Sequence, residues 1–208
     1  MHLKHRPKHE NTQMDAIHIT QGLGKLAGII SINTSTTDNT FCQAMQKTDS
    51  VCKSCYAQRY EKLRPSMVNA FRRNKFLSER PLQPEELPAI NEQIARFASY
   101  GELINMMHFI NLLRIALANP RTIFTLWTKR YRIVQRVLKL MGKPDNLILI
   151  YSSPIVGEVS ALPKGFDKVF TAFARGSDMT DINCHGSCNT CRLCYSHNDT
   201  THIHEIIK

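Results

Sequence analysis

The chain has 208 residues, of which 42% are hydrophobic and 21% are charged, and its formal net charge is +10. This length and composition indicate a globular domain with a proper core and exclude a disordered or fibrous chain. No apolar run reaches the roughly 18 to 20 residues that span a bilayer, and from the basic, histidine-rich start we expect no signal peptide. We therefore expect a cytoplasmic protein with no membrane partner, whose basic charge favours nucleic acid or a nucleotide as partner.

Strand-like and helix-like segments alternate along the first half of the chain. The isoleucine-rich stretch 25–33 is predicted to form a buried strand, because polar turn residues bound it. A polar loop with three cysteines follows, and a helical stretch then covers 56–77, where Pro65 opens a second helix. The segment 92–102 fits both periods, and we favour a strand that stops at Gly101.

The second half continues the alternation. Apolar residues at helical spacing predict a helix over 103–118, and an amphipathic pattern predicts another over 130–142. β-Branched and continuous apolar runs predict strands over 122–127, 146–151 and 168–174. Strands that alternate with helices predict an α/β fold with right-handed crossovers and a parallel sheet of about five strands.

The chain divides into three parts. Residues 1–24 form a basic N-terminal segment, and residues 25–176 form the α/β domain. Residues 177–208 form a cysteine-rich C-terminal segment, which we expect to pack on the same domain.

Three polar groups follow predicted strands. A three-cysteine loop comes after the first strand, Gly101–Glu102 ends the second, and four cysteines come after the last. Chemistry in parallel sheets and barrels gathers at the carboxyl ends of the strands. We therefore expect all three groups at one edge of the sheet.

The seven cysteines indicate metal binding rather than disulfides, since their number is odd and a reducing compartment disfavours pairing. Four of them lie within eleven residues, namely Cys184, Cys188, Cys191 and Cys194. Such a compact run is closer to ferredoxin-type iron–sulfur sequences than to the paired knuckles of structural zinc, although zinc stays open. His197, His202 and His204 could supply a further ligand, but the cysteines suffice without them.

Cys42, Cys52 and Cys55 form a second set on one loop. Three thiolates can hold a 4Fe–4S cluster by three irons and leave the fourth open. Radical chemistry with S-adenosylmethionine (SAM) requires that arrangement. The alternatives are a zinc site, a redox dithiol made of Cys52 and Cys55, and a Cys42 that only packs.

Polar residues around the second predicted strand are candidates for binding a cofactor. The pair Gly101–Glu102 could aim a carboxylate at a bound ammonium group, although a capping or solvated glutamate is the alternative. Asn105, His108 and Asn111 recur every three residues at the start of the next helix, where they would line one face. A histidine on an apolar helix is more often a core or surface residue.

The stretch "WTKRYR" ends the third predicted strand with aromatic and basic side chains, Trp127, Lys129, Arg130 and Arg132. Such residues could grip a phosphate or stack on a base. They could equally be a packed tryptophan and a solvated helix start.

Four stretches together resemble a known family. They are "CKSCYA", "GEL", "ANPRTIFTLWTKR" and "CHGSCNTCRLCY", all within residues 25–195. They resemble the phage gene product 88 family, whose cysteine-rich proteins look like reduced relatives of radical-SAM barrels. The resemblance implies an iron–sulfur protein in the cytoplasm of an infected or lysogenic bacterial host. It also implies a partial parallel β/α barrel of the radical-SAM kind with a cysteine-rich C-terminal extension.

The resemblance assigns roles to residues as well. Cys42, Cys52 and Cys55 match the three-cysteine loop after strand one, and Gly101–Glu102 matches the motif that contacts the methionine amine. The four C-terminal cysteines resemble an auxiliary cluster. Two features depart from the radical-SAM pattern: the first cysteine spacing is longer, and Tyr100 stands where the motif has another glycine.

Three functions remain open. The first is a radical-SAM-like enzyme that acts on a nucleotide or nucleic acid. The second is a non-catalytic iron–sulfur protein, a redox carrier or sensor with a fully ligated cluster. The third is a zinc-stabilised module that binds nucleic acid. We favour an iron–sulfur protein with one or two 4Fe–4S clusters, with SAM as a further candidate cofactor and catalysis left open.

Overall fold

A seven-stranded sheet organises the part of the chain that the computed structural model describes, residues 16–177 and 181–207. The strands lie in chain order, β2 to β7 are parallel, and β1 is antiparallel to β2. They are β1 (Ile19–Gln21), β2 (Ile30–Ile32), β3 (Ile94–Phe97), β4 (Ile123–Thr128), β5 (Leu147–Ser152), β6 (Lys168–Phe173) and β7 (His202–Ile206). Within the described residues β1 and β7 are the two edges of this order, so the sheet is open.

Helices occupy most of the connections between the strands. They are α1 (Thr40–Met45), α2 (Tyr56–Leu63), α3 (Pro65–Arg72), α4 (Met106–Ala118), α5 (Tyr131–Met141) and α6 (Cys188–Cys191). The predicted α/β fold with a mostly parallel sheet is thereby confirmed. Pro65 is the first residue of α3, where its missing N–H costs no helical hydrogen bond.

The strand prediction is wrong at both ends of the sheet. The predicted strand 25–33 is reduced to Ile30–Ile32, because a short 3₁₀ turn, Gly24–Leu26, precedes it. Two strands, β1 and β7, have no counterpart among the predicted strands. Both are short, and β7 carries the charged and polar sequence "HIHEI", so its apolar alternation is weak.

One face of the sheet packs on the helices. Phe97 of β3, Phe124 of β4 and Leu149 of β5 are fully buried there in one apolar cluster, together with Leu112 of α4 and Val134 of α5. The rings of Phe97 and Phe124 stack with centroids 4.7 Å apart. Each such side chain contributes about 1.5–3 kcal/mol to stability through burial, so this cluster holds the helical layer to the sheet.

The opposite face is covered by the segment that connects β6 to β7. Tyr195 of that segment is buried against Ile29 and Ile94, and Cys188 and Cys194 pack on the same cluster. These isoleucines lie at the amino ends of β2 and β3. The expectation that the C-terminal cysteines share the carboxyl edge with the other groups is therefore wrong.

The cause of this placement is β7. A parallel strand must begin at the amino edge, so the chain has to return across the sheet after β6 before it can pair. The cysteine segment makes this return along the face that the helices leave uncovered.

In the described part of the chain, no helix is both long and apolar enough to cross a membrane.

Gly101 follows β3 in a conformation that only glycine adopts without strain. Its φ is +80°, and a Cβ at this position would stand 2.5 Å from the backbone oxygen of Thr34. The loop after β3 can therefore approach the loop after β2 closely only because residue 101 lacks a side chain.

We expect Gly101→Ala to lower the free energy of unfolding by about 2–4 kcal/mol, since a left-handed alanine is strained and its methyl group meets backbone. Gly157→Ala is the matched control, because Gly157 has φ +79° but an added Cβ there would meet no heavy atom within 4 Å. The control should lose only about 1 kcal/mol. Urea unfolding of both variants measures the difference, and equal losses would contradict a close approach at Gly101.

Candidate metal centres

The N-terminal cysteine group consists of Cys42, Cys52 and Cys55, and it lies beyond the carboxyl end of β2. Cys42 is in α1, Cys52 is in a 3₁₀ turn, and Cys55 is the residue that precedes α2. All three are half-buried free thiols. Burial raises the pKa of Cys42 and Cys52, and the neighbouring thiols of the group act in the same direction. Without a metal these two side chains therefore stay protonated at neutral pH.

Local capping fixes the positions of two of these cysteines. The Asn39 side chain caps α1 by accepting hydrogen bonds from the N–H groups of Phe41 and Cys42 at 3.0 and 3.3 Å. The Ser50 hydroxyl accepts a bond from the Cys52 N–H at 3.2 Å. Asparagine and serine are favoured caps because their side-chain oxygens satisfy the first N–H groups of a helix. The polar loop is thus ordered by its own side chains.

Glu61 is a structural residue that the sequence pattern did not identify. It is 1% exposed, and its carboxylate accepts four hydrogen bonds from the loop that follows β2. The donors are the Ser35 hydroxyl, the Thr36 N–H, and both the N–H and the hydroxyl of Thr37. Because Cys55 opens the helix that carries Glu61, this clamp fixes the cysteine relative to the sheet.

Glu102 joins the loops that follow β3 and β4. Its carboxylate accepts hydrogen bonds from the Leu103 N–H at 2.7 Å, the Lys129 N–H at 2.9 Å and the Thr128 hydroxyl. The Asn39 amide donates to its backbone oxygen at 2.8 Å, so the Cys42 helix is tied to the same residue. Glu102 is 6% exposed, and its charge contributes to the raised pKa of Cys42. The predicted Gly101–Glu102 pair therefore lies beside the N-terminal cysteine group.

Lys129 brings a positive charge to the same place. Its ammonium donates to the Ser152 hydroxyl at 3.0 Å, and its charge favours the thiolate forms of Cys42 and Cys52. Arg130 donates to two backbone oxygens of the loop after β3 and lies 4.9 Å from the centre of the Phe41 ring. The structure therefore brings Glu102, Lys129 and the three thiols together at the carboxyl edge.

The polar residues of α4 have structural partners. Asn105 caps the helix by accepting from the His108 N–H, and its amide donates to the Ser78 backbone oxygen. His108 is 2% exposed, and burial lowers its pKa to about 4, so it is neutral at pH 7. Asn111 bonds to the backbone of the segment 77–82. Their roles in cofactor binding stay predictions.

The C-terminal cysteine group surrounds a pocket on the face of the sheet opposite the helices. All four of its members line this pocket, together with Tyr195 and Ile203: Cys184, Cys188, Cys191 and Cys194. α6 supplies Cys188 and Cys191, and the next 3₁₀ turn supplies Cys194. A left-handed residue, Arg192 with φ +52°, reverses the chain between the two elements. Burial raises the pKa of Cys194 to about 12.

Three cations approach the C-terminal cysteine group. Lys25 donates to the Cys184 sulfur at 3.9 Å and to Glu205 at 2.5 Å. Lys168 is 2% exposed and faces Cys194, while its ammonium donates to two oxygens of the segment 198–200. The third cation is the Arg96 guanidinium.

The Arg96 side chain extends from β3 on the face of the sheet opposite the helices. Its guanidinium lies 3.9 Å from the centre of the Trp127 ring, and its buried Nε has no hydrogen-bond partner among the described residues. Burial alone would lower its pKa, but the nearby Tyr195, Cys188 and Cys194 keep it raised. The Trp127 ring therefore packs against a cation, which agrees with the alternative of a packed tryptophan. Arg96 is a buried charge that the sequence pattern did not reveal.

The C-terminal histidines lie away from this pocket. His202 and His204 point to the opposite side of β7 from the pocket residue Ile203, since side chains alternate along a strand. The His197 ring bonds to the Asp145 backbone oxygen at 3.0 Å. Within the described ranges, no three Cys, His, Asp or Glu side chains are arranged as a ready-made site for one metal ion.

The family comparison agrees with the sequence resemblance. The model of the family Gene product 88 matches residues 4–197. The chain belongs to the gene product 88 family. This is a phage-type family, so the phage part of the resemblance is confirmed. Neither the curated proteins nor the solved structures gave a match to the chain.

In this gene product 88 chain, we expect Glu102→Gln to lower the free energy of unfolding by about 1–3 kcal/mol. The amide nitrogen cannot accept a bond from a buried N–H group, which is left unsatisfied. Glu79→Gln is the control, because the Glu79 side chain is 52% exposed and its salt bridge, with Lys75, lies on the surface. Its loss should stay below about 0.5 kcal/mol. Equal stability of Glu102→Gln and the unchanged protein would show that Glu102 holds no loops together.

Proposed function

We propose that this protein binds two 4Fe–4S clusters, one at each cysteine group. The observation that carries the proposal is the convergence of all four C-terminal cysteines on one pocket that three cations approach. Four thiolates and a cluster core of charge +2 have a net charge of about −2. Three cations near the group, even with the Glu205 carboxylate beside Lys25, offset a charge of that sign.

The choice of iron over zinc rests on the spacing of the ligands. Structural zinc usually takes its thiolates from two separate knuckles, whereas here all four lie in one segment of eleven residues. Raised thiol pKa values at Cys188 and Cys194 mean that loading of this group has to displace protons. Arg96 and Lys25 favour the thiolate of Cys188 and so assist that step.

The N-terminal cysteine group supports an open cluster on a partial β/α barrel of the radical-SAM kind. Six parallel strands lie in chain order, and the three thiols follow the first of them. A cluster held by three thiolates would supply reducing chemistry at the iron that no protein group ligates. An amino-acid-like ligand such as SAM is the candidate for that position.

The residues around this group suit such a ligand. Among the described residues, Glu102 Oε2 accepts one hydrogen bond, from Lys129 N–H, and retains a lone pair for an ammonium group. The Lys129 ammonium donates one described bond, so it has further protons for a carboxylate. Gly101 keeps the loop close to β2, so both groups stay at the carboxyl edge.

Two sets of Cys→Ser changes test the cluster proposal. After anaerobic purification the unchanged protein should contain about eight irons and eight sulfides per chain. Cys42→Ser/Cys52→Ser/Cys55→Ser and Cys184→Ser/Cys188→Ser/Cys191→Ser/Cys194→Ser should each retain about four irons, because the groups are separate in the fold. Zinc in place of iron, or loss of all iron from either variant, would contradict the proposal.

SAM addition separates an enzyme from a redox or sensor protein. We expect SAM to change the EPR spectrum of the reduced protein that lacks the four C-terminal cysteines, since only the N-terminal cluster has an open iron. Glu102→Gln should weaken this effect, whereas the exposed-site change Glu79→Gln should not. An unchanged spectrum at saturating SAM would leave the non-catalytic iron–sulfur protein as the function.

A further inference from the structure

The region that follows the N-terminal cysteine group is strongly basic. Residues 51–75 contain seven Lys or Arg residues and one acid, Glu61, whose carboxylate is buried. Three of these cations form salt bridges with acids, namely Lys53, Arg72 and Lys75. Exposed Arg59, Lys62 and Arg64 are in no salt bridge within the described residues. The outer side of α2 therefore presents positive charge without a local partner.

Aromatic side chains lie among these charges. Tyr56, Arg59, Tyr60 and Leu63 are spaced i, i+3, i+4 and i+7 along α2, so they share one side of the helix. This side faces away from buried Glu61. Tyr56 is 55% exposed and Tyr60 is 42% exposed. We name these four residues, together with the neighbouring cations Lys62 and Arg64, the α2 face.

Both tyrosine rings are held in place although they are exposed. The Tyr56 hydroxyl donates to the Ser99 backbone oxygen at 3.0 Å, and its ring meets Tyr100 edge-on at 5.9 Å. The Arg64 guanidinium lies 5.3 Å from the centre of the Tyr60 ring. Rings fixed in this way lose little freedom when a ligand stacks on them. One helical turn separates them by about 6 Å, which suits successive bases.

We propose that the α2 face binds single-stranded nucleic acid and delivers it to the N-terminal cysteine group. Unpaired bases stack on exposed aromatic rings, while arginine and lysine contact the phosphates. The bases of a duplex are stacked inside it and cannot reach such rings. An acidic protein surface would pair with the cations but would not stack on the two tyrosine rings. Tyr56 directly follows Cys55, so a nucleic-acid strand bound to the α2 face would lie beside the N-terminal cysteine group.

Delivery of the nucleic acid to a reactive cluster rests on the proposed function, whereas binding of the nucleic acid to the α2 face needs no cluster. α5 offers a matched control surface. Arg136 and Lys139 are exposed, form no salt bridge within the described residues, and stand three residues apart on their helix, as Arg59 and Lys62 do on α2. The aromatic residue of α5, Tyr131, lies in its first turn, is partly buried and packs edge-on against Tyr151, so it does not accompany these two cations.

Fluorescence anisotropy with a labelled oligothymidylate of about 20 nucleotides tests the proposal on the full chain. We expect Arg59→Glu/Lys62→Glu to weaken binding at least about tenfold and to reduce the salt slope by about 1.4, since about two phosphate contacts are lost. Arg136→Glu/Lys139→Glu changes the net charge equally and should weaken binding less than about threefold. Tyr60→Ala should lose about fivefold or more through stacking, whereas Leu140→Ala on α5 should lose nothing.

Equal weakening by both charge-reversed variants would mean that only net charge matters and would overturn the proposal. Absence of binding by the unchanged chain would overturn it as well. Iron content is measured on every sample. An iron-free chain whose oligonucleotide binding depends on α2 would support this inference and refute the proposed function. A chain with about eight irons that does not bind the oligonucleotide would support the proposed function and overturn this inference.

Discussion

The parallel pairing of β7 with β6 determines where the C-terminal cysteines lie. A chain that leaves β6 at the carboxyl edge has to return to the amino edge before it can pair again in parallel. The helices occupy one face of the sheet, so the return segment crosses the other. That path sets Cys188 and Cys194 against the face and exposes them to charges that the strands supply, Arg96 from β3 and Lys168 from β6.

The carboxyl edge depends on two buried carboxylates rather than on apolar packing. Glu61 binds the loop after β2, and Glu102 binds the loops after β3 and β4. Every oxygen of the two side chains accepts a bond from the protein, as buried carboxylates require. The N-terminal cysteine group is therefore fixed by polar contacts on both sides. Such an arrangement holds the three thiols in place before any ligand binds.

The sequence predicted those parts of the fold that have strong periodicity. α4, α5, β4, β5 and β6 lie close to their predicted positions, since each has a clear apolar pattern, whereas β3 came from a segment that fitted both periods and is shorter than predicted. The position of Glu102 beside the three thiols also followed from strand order. β7 could not be predicted, because "HIHEI" mixes charge into a strand whose stability comes from pairing with β6 along its whole length rather than from its own pattern.

The charges around the C-terminal cysteine group were not predictable for the same reason. Lys25, Arg96 and Lys168 lie far apart in the sequence, and each looks like an ordinary solvated residue there. They meet only because β7 carries the cysteine segment back across the sheet. Glu61 and Arg96 are buried charges whose partners come from other elements, and single-sequence patterns carry no signal for such contacts.

The binding of two separate clusters is tested most directly by an anomalous difference map from crystals grown anaerobically, recorded at the iron and zinc absorption edges. We expect two separate iron peaks, one among Cys42, Cys52 and Cys55 beside Glu102, and one inside the pocket of the C-terminal cysteine group. Zinc peaks at these positions, or a single iron peak shared by both groups, would contradict two-cluster binding.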